Sequence, residues 1–419
     1  MEKTRKQSKL ELEQIQQNLE YSGKELRVFI ADVVSPEEAK TLDLEDIMLE
    51  TENLVTTYGG VVILEHIQKK TRPDFDTYIG GGRLEEIMAE MKLKGANLLI
   101  LGNILKPKQI YNVNEKLKEI GAKAWDRIDL ILKIFERNAK SSEAKLQIEL
   151  ASIKHMGPRI FDMGMELGKQ GGKGKGETNT EIMKRHLQRR EIAIKKDLEH
   201  FSKVRAEHRK SRSRKGLSTI GVVGYTNAGK STLTNTLTKK GVLAEDKLFA
   251  TLGTSVGKMW IQTEDYVGKE FLLNDTIGFI RDLPPELIDA FTSTLEDSIE
   301  ADLLLHLIDA SDPKLEEKIE VVDNILDRIG ANQKKIYVFN KIDGILGKKK
   351  NIILGTSCHP ELVSGSQIID SELNSEGQTM EVDYLEYLKE KFAKYNPVFV
   401  SAYKKIGLDD LKERILKES

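Results

Sequence analysis

Cysteine is all but missing from this chain, with a single residue, Cys358, among 419. A lone thiol excludes a disulfide framework and suits a reducing cytosol. Surplus charge is missing too. There are 65 Lys and Arg against 67 Asp and Glu, a net charge of −2, so bulk charge selects no partner. No apolar run approaches the roughly 18 residues that a membrane span needs. The opening stretch, MEKTRKQSKLELEQIQQNLE, lacks the apolar centre of a signal peptide. These absences predict a cytoplasmic protein with no membrane span. Hydrophobic residues at 39% and charged residues at 32% leave ample material for two or three domains with buried cores.

What is present begins with an alternation of patterns. Residues 26–34, 59–67, 96–102 and 122–126 read as strands. Residues 35–59, 82–95 and 108–121 read as helices, the first capped by Ser35 with Pro36 at its first position. Such alternation predicts a small parallel α/β domain over 21–125, after a flexible arm at 1–20. The turn Tyr78-Ile79-Gly80-Gly81-Gly82-Arg83 reads either as a tight turn or as an anion-binding one. Two long helical patterns follow, over 127–166 and 178–214, joined by a Gly/Lys loop at 168–177. They predict an antiparallel hairpin over 126–215. Within 184–215 there are 13 Lys and Arg against 4 Asp and Glu. That excess fits a solvated helix face, or an arm that reaches into a phosphate-rich surface. It lacks the aromatic interleaving of a base-stacking surface, so backbone contact is expected over sequence readout.

The stretch richest in chemistry is 216–231, GLSTIGVVGYTNAGKS. Residues 217–223 predict a buried strand. Gly224-Tyr225-Thr226-Asn227-Ala228-Gly229-Lys230-Ser231 then gives G-x4-G-K-S before a helical spacing, a phosphate-binding loop in its required context. Gly224 and Gly229 let the backbone curl so that N–H groups point at a polyphosphate, aided by the helix N-terminus. Lys230 is expected at the β- and γ-phosphates, and the Ser231 hydroxyl on Mg2+. Residues 244–258 form a polar loop whose foremost candidate ligand is Thr251. A hairpin then delivers Asp275-Thr276-Ile277-Gly278, where Asp275 would hold Mg2+ through water and the Gly278 N–H would sense a γ-phosphate.

Asn340-Lys341-Ile342-Asp343 follows a strand at 336–340 and selects the base. The Asp343 carboxylate can accept both N1–H and N2–H2 of guanine, whereas adenine would leave it unpaired. The Lys341 stem would cover the ring, and Ser401-Ala402 would offer a backbone contact to guanine O6. Together these predict a GTP-binding domain over 216–419. Where Ras-type GTPases carry a water-orienting glutamine, this chain has Phe279. Hydrolysis should then be slow alone and depend on backbone groups, Mg2+ or a partner. Asn227 offers K+ beside the phosphates as one route, with a loop-bracing role as the other reading. His306 reads as a core residue.

The segments RPDFDTYIGGGRLEEI, IDLILKIFERNAKSSEAKLQIELASIKHMGPRI, LFATL and DTIGFIRDLPPELIDAFTSTLEDSIEADLLLHLIDASDP resemble the HflX family of ribosome-associated GTPases. The resemblance covers 21–345 and resumes at 397–419. It implies an α/β protein: a P-loop GTPase domain with a mostly parallel sheet, preceded by a small α/β domain and a long antiparallel helical hairpin. It also implies Mg2+-dependent GTP hydrolysis by a monomer. The partner would be the large ribosomal subunit and its RNA, met through 126–215 and the N-terminal domain, in splitting or rescue of stalled ribosomes under stress. The family's GTP contacts fall on 224–231, on Phe249, Ala250, Thr251, Leu252 and Gly253, on Asp275–Gly278, on Asn340–Asp343, and on Ser401, Ala402 and Tyr403. Mg2+ falls on Ser231 and Thr251, and catalytic roles on Thr251 and Gly278.

The chain departs from the family pattern in three places. Gly253-Thr254-Ser255 stands where Asp-Pro-Thr is usual, which loosens the first switch. The hairpin tip GGKGKGE replaces an Arg and a Pro by Lys, keeping charge but losing bidentate geometry. Residues 345–383 form a long polar insertion that reads as disordered, and no metal is expected at its Cys358 and His359. With one helix after Ser401, no further C-terminal domain is expected. A non-catalytic, GTP-gated RNA-binding module is the competing reading.

Overall fold

The computed structural model describes residues 26–41, 43–139, 141–170, 179–214, 217–238, 255–262, 268–276, 278–281, 287, 300–353 and 379–419. They form two compact units, the first drawn from residues up to Lys203 and the second from most of those from Val204 on. The hairpin region as far as Lys203 thus shares one unit with the first sheet.

In the first unit, β1 (Arg27–Val34) is apolar almost without a break, as a strand covered on both faces must be, and all but its first residue is buried. It lies between β2 (Val61–Lys69) and β3 (Leu98–Leu101). With β4 (Lys123–Asp126) the four make a parallel sheet of order β2-β1-β3-β4. Helices α1 (Leu44–Tyr58), α2 (Gly81–Lys94) and α3 (Pro107–Leu117) connect the strands, and α4 (Arg127–Asn138) follows β4. The single helix expected over 35–59 is interrupted. Ser35 caps one turn, Glu38–Thr41, its Oγ accepting from Glu38 N at 3.1 Å; Asp43 Oδ1 then starts α1 by accepting from Glu45 N and Asp46 N at 3.1 and 3.3 Å. A second N-cap aspartate overrode the hydrophobic spacing.

The long helix expected over 127–166 also divides, into α4 and α5 (Ser142–Gln170), because Ser141 Oγ accepts from Ala144 N at 3.1 Å and opens a new helix. Helix α6 (Asn179–Arg214) pairs with α5. Arg190 grips Glu149 through two bonds of 2.6 and 2.7 Å, and Ile148, Ala151, Leu187 and Ile194 are buried. Residues 171–178 of the tip, and the arm at 1–20, lie outside the described residues.

An ionic cluster fastens α5 to the end of β4. Asp126 caps α4 by accepting from Asp129 N at 2.9 Å, while Asp129 Oδ2 accepts from Asp126 N at 3.1 Å. Arg159 reaches Asp126 at 2.6 Å and Asp129 at 2.8 Å, and His155 Nε2 lies 3.4 and 3.3 Å from the same two carboxylates. Two carboxylates and an imidazole could suit a metal, but the Arg159 guanidinium already supplies the cation, so this is an ion network. Burial pushes the His155 pKa down, yet its close contacts with Asp126 and Asp129 and their charges win and raise it to about 9. Asp129 is opposed by burial too, and the charge of Arg159 and the His155 contact hold it well below the usual carboxylate range. Removing one member of a buried network strands the others, at a cost of about 3–5 kcal/mol.

The second unit holds a six-stranded sheet. Its strands are β5 (Ser218–Gly224), β6 (Ser255–Gln262), β7 (Gly268–Asp275), β8 (Leu303–Asp309), β9 (Lys335–Asn340) and, after the pair below, β12 (Val398–Phe399). Their order is β12-β9-β8-β5-β7-β6, parallel except for the β6–β7 hairpin. Helices α7 (Lys230–Thr238), α8 (Leu315–Arg328), α9 (Tyr384–Lys391) and α10 (Leu408–Glu418) belong to this unit. The core centres on Ile220, Val222, Phe271, Leu305 and Val338. His306 is buried in β8 with Nδ1 3.5 Å from Asp323, and burial pushes its pKa down.

The disorder expected throughout 345–383 does not extend to its ends. Ile345 is buried, and β10 (Lys349–Ile353) pairs antiparallel with β11 (Thr379–Asp383). Asp383 then caps α9, accepting from Leu385 N at 2.9 Å, which ties the returning strand to the fold. Residues 354–378 lie outside the described residues.

The His155 cluster makes a prediction with a definite sign. A raised histidine pKa contributes stability that is complete below about pH 6.5 and is lost as pH rises through about 9. The depressed Asp129 contributes above the ordinary carboxylate range and loses it as pH falls. The melting-temperature gap between wild type and His155→Gln should therefore be widest at about pH 5–6, narrow steadily, and close above about pH 9. Calorimetry across that range checks it, and a gap that ignores pH contradicts the ion network.

Candidate functional site

The phosphate loop is shaped by what its glycines exclude. Gly224 ends β5 at φ 153°, and an added Cβ would lie 2.3 Å from Leu307 O. Gly229, at φ 92°, would put a Cβ 2.4 Å from Asn340 Nδ2. Between them Asn227 takes a left-handed φ of 62°, a conformation asparagine tolerates, with its side chain exposed. Helix α7 begins at Lys230, so the loop ends in the free N–H groups of a helix N-terminus. Not every loop amide points inward as expected. Thr226 N donates to Phe279 O at 2.7 Å and Ala228 N to Tyr225 O at 3.3 Å, so those two hold the loop's own shape.

Lys230 is buried, and its Nζ donates to Gly224 O and Tyr225 O at 3.1 and 2.8 Å. Burial pushes its pKa down to about 8, Asp275 pulls the other way, and Lys341 adds to the push. A polyphosphate laid beside the amine would favour its charged form. Ser231 Oγ donates to Asp275 Oδ2 at 2.8 Å. A hydroxyl and a carboxylate this close are a hard-oxygen pair able to hold Mg2+.

Gly278 packs on the loop, where an added Cβ would lie 2.7 Å from Thr226 Cγ2 and 3.0 Å from Lys230 Nζ. Its backbone therefore passes beside whatever Lys230 holds. Thr276, expected as a nucleotide contact, is buried and donates from Oγ1 to Val222 O at 2.7 Å, which makes it a brace on β5. Phe279 works through its main chain. Its ring is 1% exposed, its N donates to Gly224 O at 3.2 Å and its O accepts from Thr226. Arg281 N adds a bond to the Tyr225 hydroxyl at 2.7 Å. Sequence reasoning saw that Phe279 cannot orient water but missed this latch, because main-chain bonds leave no residue-type signal.

At the base end, Asn340 does not face outward. Its Nδ2 donates to Ala228 O and its Oδ1 accepts from Ala402 N, both at 2.9 Å. The Ala402 N–H expected on guanine O6 is thus committed to Asn340 in this structure. Ile342, also expected at the nucleotide, is buried among Ile308, Phe339 and Phe392. Asp343 is exposed and accepts from the Ser401 hydroxyl, which in turn accepts from Lys404 N at 3.0 Å. Lys341, at a left-handed φ of 65°, ties its amine to Asp309 at 2.8 Å. Tyr403 is exposed. Phe249, Ala250, Thr251, Leu252, Gly253 and Ile277 lie outside the described residues.

Three family models match the chain: "GTP-binding GTPase N-terminal" over residues 45–136, "GTP-binding GTPase Middle Region" over 138–212, and "50S ribosome-binding GTPase" over 219–341. The chain is 42% identical over 325 residues to the GTPase HflX of Caldanaerobacter subterraneus subsp. tengcongensis, covering 76% of this chain and 73% of that one. To the GTPase HflX of Flavobacterium psychrophilum it is 35% identical over 377 residues, 89% and 85% of the two chains. A solved structure described as the SsGBP and GDP complex aligns with 93% of this chain and 98% of its own, at 26% identity and a TM-score of 0.50.

Asn340→Ala removes two buried hydrogen bonds, each worth about 1–3 kcal/mol when a partner is left unsatisfied. Affinity for both GDP and GTP should fall at least roughly 30-fold, as titration with a fluorescent guanine nucleotide would report. An unaltered affinity for both would mean that the amide does not hold the pocket.

Proposed function

The chain belongs to the HflX family of GTPases, and we propose that it couples GTP hydrolysis to work on the large ribosomal subunit, splitting or rescuing stalled ribosomes under stress. It is a GTP hydrolase, which sets aside the non-catalytic module. The observation that carries the ribosomal reading is the presence, in one chain, of a guanine-nucleotide frame and a helical hairpin with 13 Lys and Arg against 4 Asp and Glu over 184–215. The match of 219–341 to ribosome-binding GTPases supports it. A basic surface of that kind favours the phosphates of ribosomal RNA.

In this reading Lys230 and the N–H groups at the start of α7 hold the β- and γ-phosphates. Asp343 reads guanine, with Ser401 steadying its carboxylate. Ser231 and Thr251, with Asp275 acting through water, would hold Mg2+, which would neutralise charge on the phosphates. The Gly278 N–H senses the γ-phosphate. Since the Phe279 ring is buried, positioning of the attacking water falls to backbone groups near Gly278, to Thr251, or to a group that the ribosome supplies. Asn227, exposed on the loop, is the residue that would border a K+ ion. The first unit and the hairpin make the ribosomal contacts, and the chain acts as a monomer.

GTP turnover by the purified chain, with and without large ribosomal subunits in K+ buffer, tests this. The subunits should raise turnover at least roughly 10-fold, given that partner-supplied groups can add 10^3–10^5. Raising salt from about 50 to about 200 mM should remove most of that gain. Equal turnover in K+ and Na+ would eliminate the K+ role. Equal turnover with and without subunits would overturn the ribosomal one.

A further inference from the structure

Phe75 stands out from the surface of the first unit, with 70% of it exposed. It lies in the loop between β2 and α2, which leaves the carboxyl end of a parallel strand, the edge at which open α/β sheets present their ligands. The loop is braced on both sides of the ring. Asp74 and Tyr78 exchange backbone bonds of 2.8 and 3.1 Å, and Asp74 Oδ1 accepts from Asp76 N and Thr77 N at 2.9 and 3.1 Å. From α3, Gln109 Nε2 donates to Asp74 O at 2.6 Å and Asn112 Nδ2 to Asp76 O at 2.9 Å. Six bonds therefore fix the backbone on both sides of Phe75 and keep its attachment point at the surface.

A single exposed apolar side chain is ordinary. The cations around this one are not explained that way. Lys108 Nζ lies 4.9 Å and Lys106 Nζ 5.8 Å from the ring centroid. Lysine stems often cover an apolar neighbour, but a covered ring would not keep most of its surface in water. Lys108 shares its charge with Asp76 at 2.7 Å, whereas among the described residues no carboxylate pairs with Lys106. Residues 69–76 and 103–108 together carry Lys69, Lys70, Arg72, Lys106 and Lys108 against Asp74 and Asp76. An exposed ring with two ammonium groups over it, each on a flexible stem, offers a base a surface to stack on and its flanking phosphates two cations.

We propose that Phe75 is a stacking platform for an unpaired RNA base, with Lys106 and Lys108 on the phosphates that flank it. The proposal rests on the ribosomal reading above and adds to it the kind of RNA met by the first unit: single-stranded, through a base. A duplex buries its base faces and offers the ring nothing. An acidic protein would satisfy the lysines but gives no use to a flat, open ring.

The test uses the full chain and a fluorescein-labelled single-stranded RNA of about 12 nucleotides, beside a duplex of the same sequence. Stacking of one base is worth about 1–3 kcal/mol, so Phe75→Ala should weaken single-strand binding roughly 5- to 100-fold. It should leave duplex affinity, and the slope of log K against log salt, where they were. Phe75→Trp should restore affinity and show indole quenching on binding. Lys106→Gln should instead reduce the salt slope by about 0.7. Equal single-strand affinity of Phe75→Ala and wild type overturns the platform, and so does an equal loss on single strand and duplex. Phe75-dependent binding of poly-glutamate with none of RNA overturns it in favour of an acidic protein. If wild type binds neither RNA nor large subunits, the ribosomal reading itself fails; if it binds and Phe75→Ala is indistinguishable from it, only the platform fails.

Discussion

Asn340 is 2% exposed and has both ends of its amide in use, Nδ2 on the Ala228 carbonyl and Oδ1 under the Ala402 N–H. Its partners lie 112 and 62 residues away along the chain. One planar group thus sets the spacing between the loop that holds phosphates and the loop that reads the base. No other side chain of similar size does both. Aspartate would accept from Ala402 but turn an oxygen on the Ala228 carbonyl, and leucine would strand both groups in a buried site. The same amide explains the glycine at 229, since any side chain there would lie 2.4 Å from Nδ2 and displace it.

A second constraint runs through position 279. The Phe279 ring is buried in the core, and its main chain lies bonded to the phosphate loop. The bonds from Phe279 N to Gly224 O and from Thr226 N to Phe279 O then join the Asp275–Gly278 turn to the loop directly. Position 279 thus contributes a main-chain link rather than a side chain to the site. Any change in the Gly278 backbone must strain or break that coupling, so the state of the turn and the shape of the loop are not independent.

Most of the second unit's site was legible because its chemistry depends on residue types at fixed spacings: two glycines, a lysine, a serine, two aspartates and an asparagine. The strand and helix alternation of the first unit was legible from hydrophobic period. What escaped has a common cause. The breaks at Asp43 and Ser141 turn on single side-chain caps that a hydrophobic stripe does not register. The roles of Thr276, Ile342 and Ala402 turn on which way a side chain or amide faces, and the same motif letters would be written either way. The Asp126–Asp129–His155–Arg159 network joins residues from two stretches of the chain, and no periodicity announces it. Phe75 is a related case, since the loop that carries it is braced by bonds from Gln109 and Asn112, far along the sequence.

The two sheets share a layout, and each has a switch point where successive connections leave in opposite directions, between β1 and β3 in the first and between β5 and β8 in the second. Such points normally open a crevice for a ligand. In the second unit Gly224, pressed on Leu307 O, keeps side chains out of that crevice and lets the phosphate loop use it. In the first unit the crevice is filled. Asp32 lies against Gly102, where a Cβ would sit 2.5 Å from its Oδ2, and the Tyr78 hydroxyl donates to Asp32 from a residue held at a left-handed φ of 65°. Burial raises the Asp32 pKa, the Tyr78 bond opposes it, and the result is a carboxyl and a phenol locked together as a plug. The Asp32–Tyr78 pair thus occupies the place at which the second unit opens its phosphate loop. In the loops beyond the strand ends, the large apolar side chain most exposed to solvent is Phe75.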